Sequence, residues 1–203
     1  MEINVINNVP NVKVTVNKSE NGFAILLAEE IVKKLGDVKP GETVTLGNRE
    51  YIVLGHGEDT TAVITKNFTT EMKFGENNDY RESNVRKYCN NEFYKELVAA
   101  VGSENIIQHT VRLTADDGTN KGVVCKDNVS ILTTELYRRY REYLPAYGDW
   151  WWTATPVNSD DSDYSRGVCC VVSSGVLSWV GCGCCGGVRP FLTLDSSVLV
   201  SLN

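Results

Sequence analysis

The sequence predicts an α+β fold, and three observations carry that prediction. An alternating stretch with two tight turns follows residue 40, two amphipathic helical segments occupy the middle of the chain, and the last third shows no helical period. At 203 residues, with 42% hydrophobic and 23% charged side chains, the chain has the length and balance of one well-cored globular domain plus a short appendage.

Residues 1–40 read as a separate strand/helix element. Val9 to Val16 is β-prone, and "NKSENG" is a polar turn. In "FAILLAEEIVKKLG", Ile25, Leu26, Ala28, Ile31, Val32 and Leu35 fall on one helical face, with Gly36 as the stop. Two uses are open to this element: packing on the main domain, or assembly, as a homo-oligomer or as an attachment to a larger particle.

The main domain is expected over 41–203. Its opening, "GETVTLGNREYIVLGHGEDTTAVITKNF", alternates and turns at "GN" and "GED", which predicts three short antiparallel strands. "NDYRESNVRKYCNNEFYKELVAAVG" carries the apolar stripe Val85, Tyr88, Cys89, Phe93, Leu97 and Val98, interrupted at "NN", so one broken helix or two short ones both fit. "LTADDGTNKGVVCKDNVS" reads as a polar loop. "LTTELYRRYREYL" reads as a second helix, capped by Thr133 or Thr134 and ended before Pro145. From Trp150 onward the chain reads as short strands and loops, with "SSG" turning a hairpin between residues 167–172 and 176–180.

Charge narrows the function classes. A formal net charge of -6 offers no basic surface to release phosphate counterions, so no nucleic-acid partner is expected. No stretch reaches the roughly 18 apolar residues a bilayer span requires, so no membrane insertion is expected. "MEINVINNVPNVKVTV" lacks the basic and apolar regions of a secretory signal; the expectation is synthesis in the cytoplasm, with carriage on a virion left open.

Candidates for fixed chemistry are few. His56 and His109 stand 53 positions apart with no flanking motif and read as structural. Asp116, Asp117 and Asn120 offer calcium-type oxygens, but their spacing matches no calcium loop and a solvated turn explains them. Of seven cysteines, Cys89 and Cys125 read as small buried hydrophobes, while Cys169, Cys170, Cys182, Cys184 and Cys185 cluster near the end. Zinc would need four thiolates from knuckles that aim them inward, whereas adjacent cysteines on a strand point to opposite faces. No metal or other cofactor is therefore expected.

Composition offers a different reading of the cluster. From Ser165 to Gly187, twenty of twenty-three residues are Gly, Val, Cys or Ser, the others being Arg166, Leu177 and Trp179. From Asn158 to Gly187 there is no Lys, Glu, Gln or Met, although these fill 29 of the other 173 positions and about five would be expected in thirty.

The frame "WWWTATP", then "SSGVLSW", then "GVRPFLTL" resembles the variable proteins of diversity-generating retroelements, over roughly residues 41–200. The resemblance implies a C-type-lectin-like fold with two main helices and twisted antiparallel sheets, related to that of formylglycine-generating enzymes. Such a fold ties its chain ends together in one sheet. In that family a reverse transcriptase scrambles template adenines, so Asn codons become codons that never specify Lys, Glu, Gln, Met or Trp, in accord with the missing residue types. The resemblance implies a non-catalytic display protein, with a variable region at about 158–187 that binds an unknown protein or cell-surface ligand.

On this reading Trp151, Trp152, Gly175, Leu177, Gly187, Val188, Arg189 and Pro190 are frame, and Trp179, whose codon the scrambling cannot make, is frame as well. The diversified ligand-binding positions are Asp163, Ser165, Gly167, Cys169, Cys170, Val172, Ser178, Val180, Gly181, Gly183, Cys184, Cys185 and Gly186. Tyr164, Arg166 and Trp179 are the best anchors for a ligand, since aromatic and Arg side chains dominate interface energies. The thiols are expected at the surface, with Cys182 open between frame and variable. The alternatives are a formylglycine-generating-enzyme-like oxidase using a cysteine pair with copper, a metal-binding cysteine cluster, and a structural assembly subunit.

Overall fold

A computed structural model describes residues 12–19, 22–29, 32–159 and 166–202. The strands are β1 (Val12–Ser19), β2 (Gly22–Glu29), β3 (Val32–Lys34), β4 (Thr43–Leu46), β5 (Arg49–His56), β6 (Thr60–Thr65), β7 (Thr70–Lys73), β8 (Ile106–Ile107) and β9 (His109–Arg112), followed by β10 (Val124–Asp127), β11 (Val129–Ile131), β12 (Trp151–Pro156), β13 (Gly167–Val171), β14 (Leu177–Gly181), β15 (Cys185–Val188), β16 (Pro190–Asp195) and β17 (Leu199–Leu202). The helices are α1 (Asn84–Tyr88), α2 (Tyr94–Val101) and α3 (Thr134–Tyr140). The architecture is α+β, as the sequence predicts, and β12 with β15 is the one parallel pair among the described strands.

The "GN" and "GED" turns do join three antiparallel strands, β4, β5 and β6. They form the middle of an eight-stranded sheet ordered β11-β16-β6-β5-β4-β17-β3, with β8 added beside β16. The last described strand, β17, pairs with β3 and β4, so the two ends of the main domain lie in one sheet. Alternation along β5 divides the interior: Tyr51 and Val53 enter the larger core, with Val85, Phe93, Leu97 and Trp152, while Ile52 and Leu54 enter a second core with Tyr137, Trp151 and Phe191.

The interrupted helix is α1 and α2 joined through a π-helical turn at Cys89–Phe93. Asn90 explains the widened turn: its amide nitrogen donates to the carbonyls of Arg86 (3.1 Å) and Val129 (2.8 Å), and its side-chain oxygen accepts from the backbone N–H of Val129 (3.4 Å). Below it, Arg86 forks onto the buried Asp127 carboxylate at 2.6 and 2.9 Å, tying α1 to β10. The second helix begins as predicted, with Thr133 Oγ1 accepting from Leu136 N.

Two expectations are corrected. The stretch read as a helix in residues 23–36 is β2, then β3 and a short 3-10 turn at Leu35–Asp37. An apolar run such as "FAILLA" satisfies either period, and here the β-branched "VKVTV" supplies an eight-pair antiparallel partner, with Val16 opposite Ile25. The second correction concerns "VVCKDNVS", read as loop, which holds β10 and β11 because β9 and β16 are there to pair with them. No helix among the described residues is long and apolar enough to cross a membrane.

Candidate binding surface

A five-stranded sheet ordered β14-β13-β12-β15-β7 carries the cysteine-rich segment. Its foundation is the tryptophan run. Trp151 faces the second core and Trp152 the first, where its indole N–H donates to the Met72 carbonyl at 2.9 Å. Half-buried Trp150 stacks edge-on against Trp152, with centroids 4.9 Å apart. Arg189, 1% exposed, donates from Nε to the Thr65 carbonyl at 3.1 Å, and its guanidinium lies over the rings of Trp151 (5.0 Å) and Tyr147 (5.3 Å). Burial pushes its pKa down to about 10.

The predicted hairpin is present: β13 pairs with β14 in continuous register from Gly167 opposite Gly181 to Val171 opposite Leu177. Gly175 turns it at φ +79°, a conformation that favours glycine, and its carbonyl accepts from the Tyr137 hydroxyl at 2.6 Å. At the other end, the Asn78 amide nitrogen donates to the carbonyls of both Asn158 (2.9 Å) and Gly167 (3.2 Å). One side chain thus clamps the exit from β12 to the entry into β13.

The proposed ligand-binding residues divide by burial. Arg166, Ser178, Trp179, Gly183, Cys184 and Cys185 are exposed, and Val172, Val180 and Gly181 are half-buried. Asp163, Tyr164 and Ser165 lie outside the described residues. Gly167, Cys169, Cys170 and Gly186 are buried and leave the displayed set. The reason for β13 is its position between β12 and β14, which covers it on both edges, and the Cys169 carbonyl accepts from Thr153 Oγ1 at 2.7 Å. The reason for Gly186 is contact: a Cβ there would overlap the ring of Trp150, just as one at Gly187 would overlap Phe68. Around Gly181 and Gly183, by contrast, the space is open. Cys182 sits fully buried in the larger core.

Accordingly, only Cys184 and Cys185 of the five late cysteines are surface thiols. Burial raises the thiol pKa of Cys169 to about 12 and that of Cys170 to about 11, which keeps both protonated and unreactive at neutral pH. Among the described residues no three His, Cys, Asp or Glu side chains converge as metal ligands. The histidines have structural partners: His56 bridges Thr61 Oγ1 (2.9 Å) and the Val38 carbonyl (2.8 Å), and His109 Nε2 meets Ser130 Oγ at 2.8 Å. In the predicted solvated turn, Asp116 pairs with Arg138 and Asp117 accepts from Thr119.

Sequence reasoning missed Val176, 61% exposed beside the hairpin turn; Trp179 in the same hairpin is 51% exposed. The place of Val176 directly after a turn glycine was the available signal. Comparison of the chain with family models, with curated proteins and with solved structures returns no match.

Proposed function

We propose that this protein is a display module of the diversity-generating retroelement type, on a C-type-lectin-like scaffold, that binds a protein or cell-surface ligand through residues of its 158–187 segment and performs no catalysis. The observation that carries this reading is the sharp division of that segment. Frame residues on either side of it, Trp151, Trp152, Val188 and Arg189, are at most 2% exposed, while Arg166, Ser178, Trp179, Gly183, Cys184 and Cys185 face solvent. Surface positions held by a rigid frame can change without disturbing the core, which is what a selected binding surface requires.

One further feature supports it: the pairing of β17 with β3 and β4 agrees with the lectin-like closure of chain ends. The absence of Lys, Glu, Gln and Met extends from Tyr143 to Asn203, beyond the segment on both sides, so composition does not single the segment out and the reading rests on burial. An oxidase would need an accessible thiolate pair; burial keeps Cys169 and Cys170 in the protonated form, which leaves the exposed neighbours Cys184 and Cys185 as the pair such an activity would have to use.

Sequencing sister copies of the gene tests the proposal. Substitutions should fall between about residues 158 and 187, at codons aligned with AAC or AAT in a neighbouring repeat, and should spare Cys182, Gly186 and Gly187. Invariant codons at Ser178, Gly183, Cys184 and Cys185 in otherwise diverged copies would overturn it.

A further inference from the structure

All seven cysteines carry free thiols, and exposure divides them. Cys89, Cys169, Cys170 and Cys182 are buried and Cys125 is half-buried. The two exposed thiols, Cys184 and Cys185, are consecutive in the chain. They follow Gly183, where an added Cβ would meet nothing, and the N–H of Cys184 closes this turn on the Gly181 carbonyl at 3.0 Å. Cys185 opens β15 and lies directly opposite Lys73 of β7, itself exposed. Opposite residues of an antiparallel pair share one face, so a cation is the cross-strand neighbour of this thiol.

The two thiols are poorly placed to pair with each other. Their peptide bond is trans, which sets the Cα atoms about 3.8 Å apart, whereas disulfides take roughly 4.4–6.8 Å. The turn bond on one side and the pairing with Lys73 on the other leave the backbone little room to adjust. An internal bond is therefore disfavoured, and both sulfurs stay open to external disulfides. Disulfides persist on secreted and cell-surface proteins, the class of ligand proposed above for this surface.

We propose that Cys184 and Cys185 form a covalent capture site for a partner protein that presents an accessible disulfide. The inference rests on the display reading and deepens it by naming how a ligand is retained. In the capture step Cys185 gives its proton to solvent, and the thiolate attacks one sulfur of the partner's disulfide. That disulfide bond breaks as the new one forms, and the displaced sulfur leaves as a thiolate that takes up a proton from water. The partner's disulfide is the oxidant, so nothing else is consumed. Attack by Cys184 on the mixed bond would close the disfavoured ring, so the partner stays attached until an external thiol removes it. Lys73 sets a preference for acidic groups around the partner's disulfide.

The test uses the full reduced chain at pH 8 and low ionic strength. Its probes are oxidised glutathione, which is anionic, cystamine, which is cationic, and a short acidic peptide closed into a ring by one disulfide. Intact mass and peptide mapping should show one glutathione adduct, on Cys185, that persists after excess reagent is removed. The ring peptide should attach whole, because both of its sulfurs remain on the captured molecule. Cys185→Ser should remove most of the adduct formed at early times, and Cys184→Ser should leave its rate within about twofold of wild type. Lys73→Gln should slow the reaction of oxidised glutathione at least about threefold without slowing that of cystamine. Loss of two hydrogens with no adduct would overturn capture, because the pair would then close on itself. Indifference to Lys73→Gln, or equal modification of Cys184 and Cys185, would overturn the site by leaving two ordinary surface thiols. Attachment of glutathione but not of the ring peptide would overturn the protein partner in favour of a small-molecule disulfide. None of these outcomes bears on the codon pattern among sister copies, which tests the display reading separately.

Discussion

Arg189 is a buried cation held by two aromatic faces and one carbonyl, and no carboxylate pairs with it among the described residues. The planar guanidinium suits that slot, whereas an ammonium would keep its charge and lose the stacking. Arg189→Lys should therefore cost about 2–3 kcal/mol of unfolding free energy and Arg189→Met about 1 kcal/mol, since an apolar replacement removes the buried charge. Urea denaturation of the two variants checks the order.

The thiols give a second prediction at this scale. With iodoacetamide at pH 8, Cys184 and Cys185 should be modified first and half-buried Cys125 slowly, with Cys89, Cys169, Cys170 and Cys182 spared until the protein unfolds; peptide mass spectrometry reads the order. Folding holds protons on Cys169 and Cys170 that the unfolded chain releases near 9, the folded values being about 12 and 11. Between pH 9 and 12 the folded state thus binds more protons, so this contribution to stability is flat below pH 9 and falls as pH rises through that window. Thermal melts of wild type and of a Cys169→Ala, Cys170→Ala double variant should show a steeper alkaline decline in the wild type.

At the scale of elements, the cysteine-rich segment behaves as two kinds of strand. In β15, Gly186 and Gly187 are buried against aromatic rings, whereas in the turn before it Gly183 has nothing within van der Waals reach. Gly186→Val should cost about 2–3 kcal/mol through overpacking. Gly183→Tyr should stay within about 0.5 kcal/mol of wild type, as surface substitutions do. Chemical denaturation of the pair distinguishes a packing glycine from a solvent-facing one, two environments that look identical in "GCGCCGG".

Much of the element pattern was legible locally. The "GN" and "GED" turns, the Thr133 cap, the break at "NN" and the "SSG" hairpin each depend on a few neighbouring residues, and each is found where the sequence indicates it. The failures share a cause. Whether "FAILLA" is helix or strand, and whether "VVCKDNVS" is loop or strand, depends on a pairing partner: β1 for the first, β9 and the distant β16 for the second. At the candidate site, Cys170 and Cys184 look equivalent as letters. One is central in a sheet and the other lies in a turn, and that distinction comes from β12 covering β13.

For the whole molecule, the hairpin of β1 and β2 pairs with itself and with no other strand among the described residues, while β3 is bound into the eight-stranded sheet through β17. A two-stranded ribbon alone contributes little to cooperative stability. Removing residues 1–31 should shift the melting temperature of the remainder by less than about 3 °C, read by calorimetry. Removing residues 1–34, which deletes β3, should lower it further. The hairpin's cross-strand pair Val16 and Ile25 is exposed.

The sequence by itself determined the α+β class and the turns and caps. These follow from residue type and short spacing. Only the tertiary structure decided which residues of the cysteine-rich C-terminal segment meet solvent, and that Cys182 and Gly186 are buried. Burial and edge position are properties of long-range strand order, and strand order is set by the sum of many weak pairings that no local stretch contains.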